Sequence, residues 1–110
     1  MATPYQRGRS FEYRVKKKLE SLGYFVMRSA GSKGQVDLLA VKHGTSLFVQ
    51  SKLRGQISIT EHNELFLLSQ RFGSIPVIVM NSDSRKIIFL RIIGLREPYK
   101  RKTTTEALSL

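Results

Sequence analysis

The stretch from Val36 to Met80 constrains the fold more tightly than any other part of the chain. Two β-like runs, Val36 to Lys42 and Leu47 to Lys52, are separated by His43-Gly44-Thr45, a connection that suits only a tight antiparallel turn. A polar stretch follows, and then Leu65, Leu68 and Phe72 recur at helical spacing up to Gly73. Thr60 reads as the N-cap, with Glu61 and Glu64 in the first turn. Pro76 then admits the run Val77-Ile78-Val79-Met80. A strand, a helix and a further strand make a right-handed crossover, so the last run is expected parallel to Leu47 to Lys52. The sheet is therefore mixed.

Before this stretch, Phe11, Val15, Leu19 and Leu22 mark an amphipathic helix that starts near Gly8 or Ser10 and stops at Gly23. Tyr24 to Arg28 forms a further short run. Beyond it, Asn81-Ser82-Asp83-Ser84 supplies turn residues before a final strand from Lys86 to Ile92. The expected order is αβββαββ: an α/β fold with a mixed five-stranded sheet flanked by helices. With 110 residues and 41% apolar content, the chain can bury one core. That core is assigned to a domain over 1–95, and 96–110, with Lys100-Arg101-Lys102, to a mobile basic tail. Phe66, Leu67 and the Ile87 to Ile93 run exceed what so small a core needs, which points to an interface between two copies as readily as to core packing.

Nineteen Lys and Arg against eight Asp and Glu leave a formal charge of +11, which a polyanionic partner would justify. Membrane is the weaker candidate, because Arg91 interrupts Ile87 to Leu95 and no run approaches the roughly 20 apolar residues of a spanning helix. Nucleic acid fits better. No apolar export segment follows Met1, so an intracellular protein is expected. Without Cys, any metal must be held by oxygen or imidazole. His43 in the turn and His62 in the second helix lack a ligand spacing and are expected on the surface.

Pairing Val41 with Ser46 across the turn and stepping back along both strands places Asp37 opposite Gln50, with Lys52 in phase. A carboxylate and an amide oxygen so placed suit a hard cation such as Mg²⁺, which can polarise a phosphate and acidify a bound water. Lys52 beside them would orient or deprotonate the attacking water, or neutralise charge on the phosphoryl oxygens. Glu12 lies seven residues before Leu19 on the core-facing edge of the first helix. It either reaches the same cation or pairs with a basic neighbour such as Arg14 or Lys16. The loop Ser29 to Gln35, with Lys33, suits close approach by a phosphate. Arg7, Arg9, Arg14, Lys16, Lys17, Lys18, Arg28, Lys33 and Arg54 are the expected phosphate contacts. No aromatic pattern suggests base readout, so DNA shape is the expected basis of recognition.

The Glu of the first helix, the stretch Arg28-Ser29-Ala30-Gly31-Ser32-Lys33-Gly34-Gln35-Val36-Asp37, and Val49-Gln50-Ser51-Lys52 together resemble archaeal-type Holliday junction resolvases of the PD-(D/E)XK nuclease superfamily. The resemblance spans about the first ninety residues and implies a restriction-endonuclease-like fold and a homodimer. It also implies paired symmetric nicks in four-way or branched DNA, with Mg²⁺ or Mn²⁺. By that resemblance Glu12, Asp37, Gln50 and Lys52 carry catalysis, Ser32 or Ser29 contributes from the loop, and the carbonyl of Ser51 is a further ligand. Gln50 departs from the family's acidic residue and resembles the Mrr-like branch instead. Two alternatives stay open: a junction-binding protein with a decayed site, and a restriction or repair endonuclease acting on duplex DNA.

Overall fold

The computed structural model describes residues 3–29, 35–53 and 57–110, the side chain of Tyr5 aside. Its first helix, α1 (Pro4–Ser21), begins earlier than expected. Thr3 is the N-cap, its side chain accepting from the amide of Gln6 while the Gln6 side chain answers the Thr3 amide, and Pro4 takes the first helical turn. That reciprocal box, together with a proline whose missing N–H costs nothing there, moves the start upstream of Gly8. Phe11, Val15 and Leu19 are buried as their spacing requires.

Strands β1 (Phe25–Arg28), β2 (Leu38–Lys42) and β3 (Thr45–Lys52) follow as antiparallel neighbours. The β2–β3 register includes Val41 opposite Ser46, and the turn between them holds His43 and Gly44 at φ 46° and 78°. Two consecutive left-handed residues match the right-handed twist of a hairpin, which explains Gly at the second of them.

Helix α2 (Ile59–Phe72) is capped by Ser58 rather than Thr60, again with a capping box, here closed by Glu61. It ends where Gly73 turns left-handed. Its inner face is also shifted from the expected stripe: His62, Leu65 and Ser69 are buried, whereas Phe72 is exposed. The expectation of a surface His62 is thus overturned. Its position three residues before Leu65 puts it on the packed face, and its Nδ1 lies 2.9 Å from Asn63 Oδ1.

The crossover delivers β4 (Ile75–Asn81) parallel to β3, with Gln50 beside Ile78 and Lys52 beside Met80. Strand β5 (Ile87–Ile92) returns antiparallel to β4. Alternation along β4 assigns its two faces. Val77 and Val79 join Phe11, Val15, Leu19, Leu38, Leu47 and Val49 beneath α1, while Ile78 and Met80 meet Leu65, Phe48 and Ile92 beneath α2. A central strand covered on both sides must be apolar on both.

The sheet of the described residues has six strands rather than five. Thr105–Ala107, expected within the C-terminal tail, form β6 and pair antiparallel with β5, with Ile92 opposite Thr105 and Leu90 opposite Ala107. Thr104 is buried, and Leu108 and Leu110 pack on the α1-side core. Three residues with a polar centre are too short to show a period, and what fixes them is the open edge of β5 together with those two leucines. Replacing both Leu108 and Leu110 with Ala is expected to cost roughly 1–3 kcal/mol, because both are only partly buried. Urea unfolding checks this, and an unchanged midpoint would mean that the segment docks without contributing.

Candidate active site

The C-terminal end of β3 lies between the start of β2 and the first turn of α2, and these three elements bring the polar residues together. Asp37 precedes β2 by one residue, and its own amide donates to the carbonyl of Val49 at 2.8 Å. Its carboxylate Oδ2 accepts from the backbone amide of Ser51 at 2.8 Å and from Ser51 Oγ at 3.2 Å. Ser51, expected to act through its carbonyl, therefore also anchors Asp37. Burial pushes the Asp37 carboxyl above its ordinary range. The Ser51 hydrogen bonds and the charge of Lys52 oppose that shift, and the nearby charge of Glu61 adds to it.

Gln50 and Lys52 share the α2 side of β3, as alternation predicts. Gln50 is 6% exposed, and its Nε2 donates to Glu61 Oε2 at 2.9 Å. Lys52 Nζ lies 2.7 Å from the same oxygen. Hydrogen bonding to Lys52 holds the Glu61 carboxyl below its usual range, against a smaller opposing effect of burial. Because a carboxylate has no proton to donate, the Gln50 amide must turn its nitrogen toward Glu61. Its Oε1 is then left buried with no hydrogen-bond partner among the described residues. A buried acceptor in that state costs about 1–3 kcal/mol unless something positive meets it. A hard cation that takes carboxylate and amide oxygens fits this donor pair of Asp37 and Gln50.

Glu12 is engaged by a different partner. Its Oε1 accepts from Arg28 Nε at 2.6 Å, a partner on β1 rather than the expected Arg14 or Lys16. Among the described residues no three His, Asp or Glu side chains gather as a metal cluster. Arg28 nevertheless pairs with Leu38 across the sheet, and the amide of the following residue, Ser29, donates to the carbonyl of Asp37 at 3.0 Å. The Glu12–Arg28 pair and the exposed Ser29 thus border Asp37 from the β1 side.

The expected phosphate contacts divide. Arg7 and Arg9 are exposed on α1, and Arg14, also exposed, reaches the carbonyl of Arg85 at 3.3 Å. Lys16 pairs with Glu20 at 3.1 Å, and Lys17 lies 3.7 Å from the same side chain. Lys18 occupies the last turn of α1. Ser32, Lys33 and Arg54 lie outside the described residues. Glu61 is the participant that sequence reasoning missed. It was visible as an acidic residue in a first helical turn, and a helix that follows β3 after a short connection must place that turn near the strand's C-terminal end, where α/β sheets gather their ligands.

Comparison with known proteins identifies relatives of the chain. The chain is 38% identical over 84 residues to the crossover junction endodeoxyribonuclease Hjc of Methanocaldococcus jannaschii, a match covering 73% of this chain and 62% of that protein. The chain thus spans somewhat less than two thirds of that relative's length. The structure of the Archaeoglobus fulgidus Holliday junction resolvase Hjc superposes with a TM-score of 0.64 at 24% identity, covering 73% of this chain and 72% of that one. At that identity the likeness establishes the fold. The family model described as archaeal Holliday junction resolvase (Hjc) matches residues 3–110, and the chain belongs to that family.

Proposed function

We propose that this protein is a structure-selective endodeoxyribonuclease that resolves four-way DNA junctions by paired symmetric nicks, with Mg²⁺ as its cofactor and Mn²⁺ as a substitute. The observation that carries the reading is the buried, unpartnered Oε1 of Gln50 next to the residue that anchors the Asp37 carboxylate. The name of the Methanocaldococcus jannaschii relative supports the reaction class. A bound divalent ion would be held by Asp37 and Gln50, with the Ser51 carbonyl and Glu12 as further contributors, and would supply Lewis acidity and an acidified water.

The chain's own groups account for the other parts of the chemistry. One proton of the Lys52 ammonium is committed to Glu61, which leaves two donors for the attacking water or for a phosphoryl oxygen. The water oxygen bonds to phosphorus and gives up a proton to solvent, one P–O bond of the diester breaks, and the departing alkoxide takes up a proton from solvent, so that one water is consumed. Ser29, or Ser32 of the neighbouring loop, contacts the phosphate. Arg7, Arg9, Arg14, Lys16, Arg28, Lys33 and Arg54 carry the backbone phosphates of the junction arms, with Lys17 and Lys18 extending that surface.

Paired nicks at a two-fold symmetric junction need two active sites, so the reading includes a homodimer. The exposed apolar side chains of Leu67, Phe72, Ile93 and Leu95 support it. No helix among the described residues is long and apolar enough to cross a membrane, and the reading takes cellular DNA as the substrate, which implies an intracellular protein. A junction-binding protein without cleavage is the second reading, favoured by the pairing of Glu12 with Arg28. Nicking assays with and without Mg²⁺ separate the two, and four-way, Y-shaped and linear substrates compared in one assay separate both from a duplex endonuclease.

Asp37→Ala or Lys52→Ala should abolish nicking of a synthetic four-way junction while gel-shift binding in EDTA persists. Cleavage surviving in either variant would refute the assignment. Arg7→Ala with Arg9→Ala should weaken junction binding and lower the slope of log K against log salt by about 1 per lost phosphate contact. A slope unchanged from wild type would remove both arginines from the DNA surface. Because burial raises the Asp37 carboxyl above its ordinary value of 3.8, the folded chain disfavours the ionised form. Its contribution to stability is present below that value and is lost as pH rises through the folded-state value. Asp37→Asn keeps an acceptor for Ser51 and should therefore melt above wild type at pH 7 in EDTA, with the gap closing near pH 3. Equal melting at pH 7 would contradict the sign.

A further inference from the structure

Gln50 raises a chemical problem that a carboxylate in its place would not. A carboxylate offers two equivalent oxygens, but an amide presents an acceptor on one side and a donor on the other, so a half-turn about its last bond replaces the metal-binding oxygen with an NH₂ that repels cations. Something must decide which side faces the site. Across the described residues, the group that touches the Gln50 amide is Glu61, whose Oε2 lies 2.9 Å from Nε2. A carboxylate accepts and cannot donate, so it selects one of the two orientations.

Glu61 is itself held firmly. Lys52 Nζ sits 2.7 Å from the same oxygen, and the capping box with Ser58 fixes the residue at the third position of α2, where Oε1 faces the Ser58 amide at 3.5 Å. The helix start is thereby tied to the end of β3 through two consecutive inward-facing side chains of that strand. The result is the unsatisfied Gln50 Oε1, buried and fixed in place before any ion arrives. Ligands prepared in this way are typical of sites whose supporting contacts matter almost as much as the ligands themselves.

We infer that Glu61 is a positioning residue for the metal site, orienting the Gln50 amide so that its oxygen, not its nitrogen, meets the divalent ion. This rests on the nuclease reading above. It adds a residue to which that reading gives no role, and it explains how an amide can serve at position 50.

The test is a mutant cycle on the 110-residue chain. Glu61→Gln preserves the capping box, which accepts Gln as readily as Glu, but an amide at 61 can pair with Gln50 in either orientation and no longer selects one. In the wild-type background it should raise the Mg²⁺ concentration for half-maximal nicking, and the dissociation constant for Mn²⁺ read by EPR on the protein–junction complex, by about tenfold. Junction binding in EDTA should not change. In a Gln50→Glu background no orientation needs choosing, so the same substitution should cost under about threefold, a non-additivity that only coupled residues show. Ser58→Ala, which loosens the box but keeps the Glu61 carboxylate, should lower the melting temperature and weaken Mn²⁺ binding by less than Glu61→Gln does.

An unaltered Mn²⁺ affinity in Glu61→Gln overturns the inference. So do equal losses in both backgrounds, which would mean that Glu61 acts through Lys52 alone. These results leave the nuclease reading intact as long as the wild type nicks and Asp37→Ala does not. A wild-type chain that neither binds Mn²⁺ nor nicks removes both.

Discussion

Strand β3 has to satisfy two neighbours of opposite direction at once, and the remaining architecture follows from that demand. On one side it pairs antiparallel with β2 through a two-residue turn, and on the other it runs parallel to β4 after a helical crossover. Both faces are covered, so Leu47 and Val49 are buried toward α1 while Phe48 and Gln50 look toward α2. Polar residues survive in such a strand only at its end, where water or a ligand can reach them. Gln50, Ser51 and Lys52 occupy that end: Gln50 and Lys52 both turn to Glu61, and Ser51 turns to Asp37.

The burial of Asp37 illustrates the tension at such a position. Its carboxylate is desolvated enough to lose part of its acidity, yet the Ser51 amide and hydroxyl keep it in place. A residue chosen for stability alone would not be a carboxylate there, and the strain is of the kind that functional sites retain at the expense of the fold. Glu12 presents the opposite case. Its charge is answered by Arg28 at 2.6 Å, a contact that settles the folded chain and keeps an acid at the border of the site.

Much of this was legible in the sequence because it depends on period and turn chemistry. The hairpin register followed from His43-Gly44, the parallel crossover from a helix between two apolar runs, and the shared face of Gln50 and Lys52 from their separation of two. The illegible parts depend on tertiary contacts. Nothing local marks Thr105–Ala107 as a strand, since its partner edge lies on β5 and its apolar support at Leu108 and Leu110. The buried face of α2 was misread because Leu68 and Phe72 outweigh His62 and Ser69 in hydrophobicity, while the sheet beneath takes the smaller and more polar pair. The pairing of Glu12 with Arg28 joins a helix to a strand sixteen residues later, which spacing within the helix cannot reveal.

The sixth strand also bears on how copies of this chain can meet. An unprotected β5 would offer a row of free amides and carbonyls, the template on which sheets grow from one molecule into the next. Thr105–Ala107 occupy that row, with Leu108 continuing to the carbonyl of Phe89 at 3.0 Å. Strand addition to β5 itself would require β6 to peel away first, and β6 offers in its place an edge of only three residues. So short an edge gives a further strand little backbone to pair with, which limits growth of the sheet at this border.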